Sequence, residues 1–181
     1  MFEQVETIIG RYEAMEAACR PHDPAATEVA RRVGEAVSSH MPGLFVEHVG
    51  STAVPGCKGK GIVDLMIAVG DGQLPTAVEL LDKLGFQPQT GPDPFPEDRP
   101  MRVGTLDHGG RDFSIHLHLI PLSSPEVIRT RKFRDWLGAD EDLTAAYVAF
   151  KKKIISKGIT DSNEYCKAKG EFIEQVLECL A

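Results

Sequence analysis

The chain reads as α+β, with helices packed on a mixed sheet. Three features give this reading. Helical spacing of apolar residues opens the chain, short strand-like runs fill the middle, and helical spacing returns to the end. A length of 181 residues suits one domain, or one domain with a helical appendage.

Residues 2–19 carry Val5, Ile8, Ile9, Tyr12 and Met15 at helical spacing, which predicts an amphipathic helix ended by Pro21. Residues 24–40 predict a second helix, with Asp23 as N-cap and Pro24 at its first position. The run FVEHVGSTAVPGCKGKGIVDLMIAV, Phe45 to Val69, reads as a strand, a Gly-Ser turn, a Pro/Gly-rich loop and a second, apolar strand. A helix at about 74–84 ends at Gly85, a residue suited to a C-terminal cap. Short strands follow at 86–89 and 102–107, separated by the proline-rich loop TGPDPFPEDRP, whose length suits a lid or a loose connection. In FSIHLHLIP (113–121), Phe113, Ile115, Leu117 and Leu119 point one way and Ser114, His116 and His118 the other. Helices at about 124–137, 141–157 and 161–180, with Ser123 and Asp161 as caps, complete the chain.

A formal charge of −7 argues against non-specific grip on nucleic acid, which depends on Lys and Arg at phosphates. The clusters Arg129, Arg131, Lys132, Arg134 and Lys151, Lys152, Lys153, Lys157 read first as solvated helix faces. The N-terminus carries acids and no basic n-region, and no apolar stretch is long enough to span a bilayer. Cys19, Cys57, Cys166 and Cys179 form no C-x-x-C pair, so they read as reduced thiols of a cytoplasmic protein. No base is identifiable near Cys57, which makes it a poor nucleophile.

The strongest chemical signal is Asp64, a lone carboxylate inside Ile62, Val63, Leu65, Met66, Ile67, Ala68 and Val69. An acid there costs free energy unless something compensates it. Gly50, Ser51 and Thr52 form an anion cradle suited to phosphate, and Asp64 stands thirteen residues after Ser51 on the next strand. A carboxylate beside a phosphate site is what a divalent cation needs to bridge protein and nucleotide. The ordinary alternatives are a plain turn and an acid satisfied by backbone amides or Lys60. His116 and His118, two apart on a strand, share a face and suit metal ligation or acid–base work, with His48 and Asp64 completing the set. Their ordinary alternative is a polar sheet face under helices. Tyr147 with Lys151, and Tyr165 with Lys169, are each four apart on a helix. They suit a clamp on a base and a phosphate, or simple amphipathic packing.

These motifs resemble the GrpB (UPF0157) family, whose signature runs close to H-[IV]-G-S-T-[SA]-V-P-G, then a Lys, then an Ile/Val-rich strand with one Asp. SIHLHLI, RTRKFRDWL, AYVAFKKKI and NEYCKAKGEFI are similar to later family segments, so the resemblance covers about 45–175. It implies a single GrpB-like domain over 1–181, with helices in 1–42, a sheet core in 43–122 and helices in 123–181. It also implies the nucleotidyltransferase fold, whose active members carry two alternating acids on the second strand and a third on a later one. Asp64 matches the first; the second position is Met66, which cannot bind a hard cation. The family also occurs fused to dephospho-coenzyme A kinase.

The reading expected from all this is a nucleotidyltransferase-like protein binding a nucleotide or related phosphate ligand. Gly50, Ser51, Thr52 and Lys60 hold phosphate, and Asp64 holds one divalent ion with His116 and His118. Magnesium is the first choice, zinc or manganese the alternatives. Transfer of a nucleotidyl or phosphoryl group to a small acceptor is the enzymatic form of this reading. A non-catalytic nucleotide-binding module and a single-metal hydrolase on His48, Asp64, His116 and His118 are the alternatives.

Overall fold

Apolar alternation builds a sheet with one face sealed and the other free to carry chemistry. The computed structural model describes residues 2, 4–91 and 94–179. Its elements are α1 (Ala25–His40), β1 (Val46–Val49), a single 3-10 turn (Ser51–Ala53), β2 (Val63–Val69), α2 (Leu74–Leu84), β3 (Gln87–Pro88), β4 (Met101–Asp107), β5 (Asp112–Pro121), α3 (Pro125–Ala139), α4 (Glu141–Ser156) and α5 (Ser162–Cys179). The sheet order is β1-β2-β5-β4-β3. Only β2 and β5 run parallel; the other neighbours are antiparallel. The α+β reading with a mixed sheet is therefore correct.

The sealed face carries Val63, Leu65, Ile67, Ile115, Leu117 and Leu119, each fully buried against α1 and α2. These residues alternate along their strands, and Val29, Val33 and Val37 recur along α1 at helical spacing to meet them. Gly85 closes α2 in the left-handed region at φ 104°, as its position predicts. On the other face α3 seats Val127 on Val49 and Met66. Helices α3, α4 and α5 share a further core of Phe133, Leu137, Tyr147, Val176 and Leu177, joined by Val54 and Cys57. No described helix is long and apolar enough to cross a membrane.

Two local expectations need correction. Residues 4–19 run as an irregular strap with no helix. The amides of Ile8 and Ile9 donate to Leu84 O, Gly10 pairs with Thr105, and Arg20 pairs with Gly59. Gly104 makes room for this strap: a Cβ there would lie 2.2 Å from Ile9 Cγ2. An isolated helix of that length is marginal, so tertiary hydrogen bonds and burial of Phe2, Ile9 and Ala17 outweigh the helical spacing. The cap of α3 is Ser124, whose Oγ accepts from Glu126 N, and not Ser123. Asp23 and Asp161 do accept from the first-turn amides of α1 and α5. Within the proline-rich loop, Pro92 and Asp93 lie outside the described residues, as does Leu180 in the predicted last helix.

Candidate functional site

β1 ends at Val49, directly opposite Asp64 on β2. The chain then turns through Gly50 at φ 67°, a region open to glycine at no steric cost. A Cβ at residue 50 would lie 2.6 Å from Asp64 Oδ2, so the turn packs directly on the carboxylate. The amides of Ser51 and Thr52 precede the first hydrogen bond of the 3-10 turn, which Ala53 N makes to Gly50 O. The predicted meeting of Gly-Ser turn and acid is thus present.

Register decides which residues join them. In the parallel pair, Asp64 stands beside His116 and Met66 beside His118. His116 Nδ1 lies 3.8 Å from Asp64 Oδ1, and His116 Nε2 lies 2.8 Å from Tyr12 Oη. The His118 ring meets Phe95 edge-on at 5.1 Å between centroids. Burial pushes His116 and His118 down to about 4, so both imidazoles are neutral at pH 7. The same enclosure raises the Asp64 carboxyl, opposed by Lys169, His118, Lys60 and Lys151. The Asp64 side chain remains 28% exposed, so this acid is crowded by protein yet reachable.

Lys60, Lys151 and Lys169, from three separate segments, each favour the charged form of Asp64. Burial lowers Lys60 and Lys151, while Lys169 is raised, chiefly by the Tyr147 phenol and further by Asp64. Lys151 is 1% exposed, which corrects its reading as part of a solvated face. Its Nζ donates to Lys58 O, lies 3.6 Å from Cys57 Sγ and sits 4.3 Å above the Tyr147 ring. Gly59 separates Lys151 from the turn: a Cβ there would lie 3.5 Å from Lys151 Nζ and 2.5 Å from Ser51 Oγ. The α3 cations are instead engaged by acids, Arg131 and Arg134 with Glu47 and Arg129 with Glu174.

Several predicted site residues do other work. His48 stands opposite Leu65, on the face away from Asp64, and so cannot complete a ligand set with His116 and His118. Its Nε2 lies 3.0 Å from Thr52 Oγ1. The buried Thr52 hydroxyl donates to Ile62 O, and His22 Nε2 donates to Thr52 O, so Thr52 pins the loop and has no hydroxyl to offer phosphate. Tyr147, 3% exposed, is stacked on Phe172 and meets Phe133 edge-on. Tyr165 is 1% exposed, with Lys169 Nζ 5.4 Å from its ring centroid. Both tyrosines are buried in the helical cores, which leaves neither ring face open to a base.

The divalent ion that the fold implies was tested against these donors. Position 66, where the second acid would stand, holds a fully buried Met packed on Val49 and Val127. No three His, Cys, Asp or Glu side chains among the described residues converge on one point. One carboxylate is a poor match for a hard cation that takes several oxygen ligands. The residues do not fit the group.

Sequence reasoning missed Tyr12 and Phe95. Tyr12 arrives on the irregular strap, and nothing in its local spacing distinguishes it from a helix residue. Phe95 had a readable signal, an aromatic side chain inside a proline-rich loop. Two surface grooves, one lined by Phe2, His40 and Met41 and one by Arg20, His22, Cys57 and Arg111, are not lined by Asp64, His116 or His118.

Comparison with known proteins agrees with the fold. The profile of the family described as "GrpB protein" matches residues 16–179. The chain is 33% identical to a UPF0157 protein of Pseudomonas aeruginosa over 165 residues, covering 87% of this chain and 64% of that one, less than two thirds of its length. It is 32% identical to a UPF0157 protein of Streptomyces coelicolor over 173 residues, covering 92% of this chain and 85% of that one. The crystal structure of conserved protein GrpB from Enterococcus faecalis superposes with TM-score 0.64 at 20% identity, over 88% of this chain and 99% of that one. The GLD-2/RNP-8 complex superposes at 0.60 with 14% identity, over 86% and 51%. The Cid1 poly(U) polymerase bound to MgATP superposes at 0.52 with 15% identity, over 78% and 46%. Identities this low speak for the fold alone: a nucleotidyltransferase-like mixed sheet.

Proposed function

The chain belongs to the GrpB family, and we propose that it is a nucleotide-binding protein that takes the phosphate end of its ligand at the Gly50–Ser51 turn. One observation carries this reading. In a chain of net charge −7, the Lys151 ammonium stands across Gly59 from the Ser51 hydroxyl, beside the glycine turn that abuts the Asp64 carboxylate. A concentration of one sign against the trend of the surface focuses field on an oppositely charged ligand. The amides of Ser51 and Thr52 supply donors to a phosphate oxygen, and the Ser51 hydroxyl a further one. That Cid1 is described with MgATP supports a nucleoside triphosphate as the ligand class. The fusion of GrpB domains to dephospho-coenzyme A kinase supports coenzyme A precursors as a second class to test.

Binding without transfer is the form the site favours. Two-metal transfer needs acids that grip both cations, and Met66 supplies none. A small ligand fits better than nucleic acid, since the overall charge repels a polyanion and the cations on α3 are already paired. Four free cysteines suit a cytoplasmic setting.

A thermal-shift screen of the four ribonucleoside triphosphates and coenzyme A precursors tests the reading. Ligand at a hundredfold excess over Kd stabilises by about 2.7 kcal/mol, a rise of roughly 5–10 °C for a chain of this size. The rise is lost in Gly50→Ala, whose Cβ would meet the Asp64 carboxylate, while Lys152→Gln on the outer face of α4 leaves it intact. Absence of any shift across the whole screen refutes the proposal. Product detected by mass spectrometry after long incubation restores the transfer reading.

A further inference from the structure

Cys57 and Lys151 stand 94 residues apart in the chain and meet as a buried pair. Lys151 Nζ lies 3.6 Å from Cys57 Sγ, held there by Lys58 O and by the face of the Tyr147 ring, 4.3 Å away. An amine beside the thiol is the base that the sequence leaves unidentified. We propose that these two side chains form a sulfur–nitrogen cross-link when the protein meets hydrogen peroxide, and that the bond removes the positive charge beside the Ser51 turn. The effect on ligand binding rests on the phosphate reading above; the bond itself does not.

The surroundings suit both partners. Cys57 lines the groove that it shares with Met15, Arg20 and His22, so a small neutral oxidant reaches the sulfur from that side. Burial raises the Cys57 thiol, with Lys151 acting against that rise. Burial also lowers Lys151, which increases its share of free amine. The amine takes the thiol proton, and the thiolate attacks peroxide. The O–O bond breaks, sulfur is oxidised by two electrons to a sulfenic acid, and the departing hydroxide recovers the proton from Lys151 as water. The amine then attacks sulfur. An S–N bond forms, the S–O bond breaks, and the second hydroxide leaves as water with an amine proton. One thiol, one amine and one peroxide thus give a sulfenamide and two waters. Cys19 is the rival nucleophile, since the pairing of Arg20 with Gly59 brings its strap beside the loop. Lys151 has the advantage of being held against the sulfur. The bond ties α4 to the loop that carries the turn, where only Gly59 stands between Lys151 Nζ and Ser51 Oγ.

The full chain is treated with hydrogen peroxide, its remaining thiols are blocked, and it is digested without reduction for peptide mass mapping. The expected product is one peptide pair joining Cys57 to Lys151, absent before peroxide and released by dithiothreitol. Cys19→Ser keeps the pair. Cys57→Ser loses it, and so does Lys151→Arg, which keeps a positive charge but has no free amine. Circular dichroism melts check that each variant is folded, and the wild-type map decides the matter even if a variant is not. Calorimetry with ATP reads the consequence: affinity falls about tenfold in the cross-linked protein and returns on reduction. Cys57 recovered as a sulfinic acid, as a disulfide with Cys19, or unmodified, with Lys151 free, overturns the inference. A cross-link that leaves ATP affinity unchanged overturns the loss of charge at the turn and leaves nucleotide binding standing. A reduced protein that binds no nucleotide fails the phosphate reading, while the peptide map still decides the bond.

Discussion

Restoring an acid at position 66 is the most informative single perturbation. Met66 is 0% exposed and lies on the same face as Asp64, in contact with Val49 and Val127. In Met66→Asp the site formally regains the alternating pair of acids. The packing forbids it. Truncating a buried methionine costs about 2–5 kcal/mol, and placing a polar group there without a partner adds roughly 1–3 kcal/mol. A total near 4 kcal/mol lowers Tm by about 10 °C in a domain of this size. Met66→Leu conserves volume and apolarity and should cost less than about 1.5 kcal/mol. The buried Asp has a raised pKa in the folded state. Its penalty is therefore full above that raised value and shrinks as pH falls toward the unfolded carboxyl range. Thermal melts of both variants across that range are the assay. A Met66→Asp protein within about 2 °C of wild type at neutral pH would show that position 66 opens to the site, and the packing argument would fail.

Two further outcomes follow from the loop that carries the turn and from the buried imidazoles. Thr52→Val keeps the shape but leaves Ile62 O without its donor and His48 without its oxygen partner; urea unfolding should register a loss of about 2 kcal/mol, Thr52→Ser losing less, and equal stability of all three would remove Thr52 from its structural role. His48, His116 and His118 are each held down to about 4 by burial, so their neutral forms contribute stability that is complete above about 6.5 and is lost as pH falls toward 4. The urea midpoint should therefore drop between about pH 7.5 and 5, on the order of 1 kcal/mol per histidine, and His48→Gln should flatten the slope; a midpoint that rises on acidification would contradict the assignment.

Much of the fold was legible because its causes are local. Strict alternation in FSIHLHLIP separates Ile115, Leu117 and Leu119 from His116 and His118, and the structure keeps that separation. Gly85 and Asp161 announce helix ends through conformations and hydrogen bonds made within a few residues. The N-terminal strap was misread because its rivals were non-local. Helical spacing in residues 2–19 competes with pairing of the segment ending at Arg20 to Leu84 O, Thr105 and Gly59, partners 39 to 95 residues away in the chain. The same blindness hid Tyr12, whose only qualification for the site is where the strap sets it down.

Taken alone, the amino-acid order determined that a lone acid follows a glycine turn on an apolar strand, and that two histidines share one face of another. Those are statements about neighbours in the chain, where pleat and turn geometry act directly. Only the tertiary structure decided which chemistry they join. Sheet register sent His48 to the far side, α3 buried Met66, and the helical bundle set Lys151 beside Gly59 and the Ser51 turn while consuming Tyr147 in its core. The physical reason is that charge acts through space and packing through volume, and neither is ordered by sequence separation.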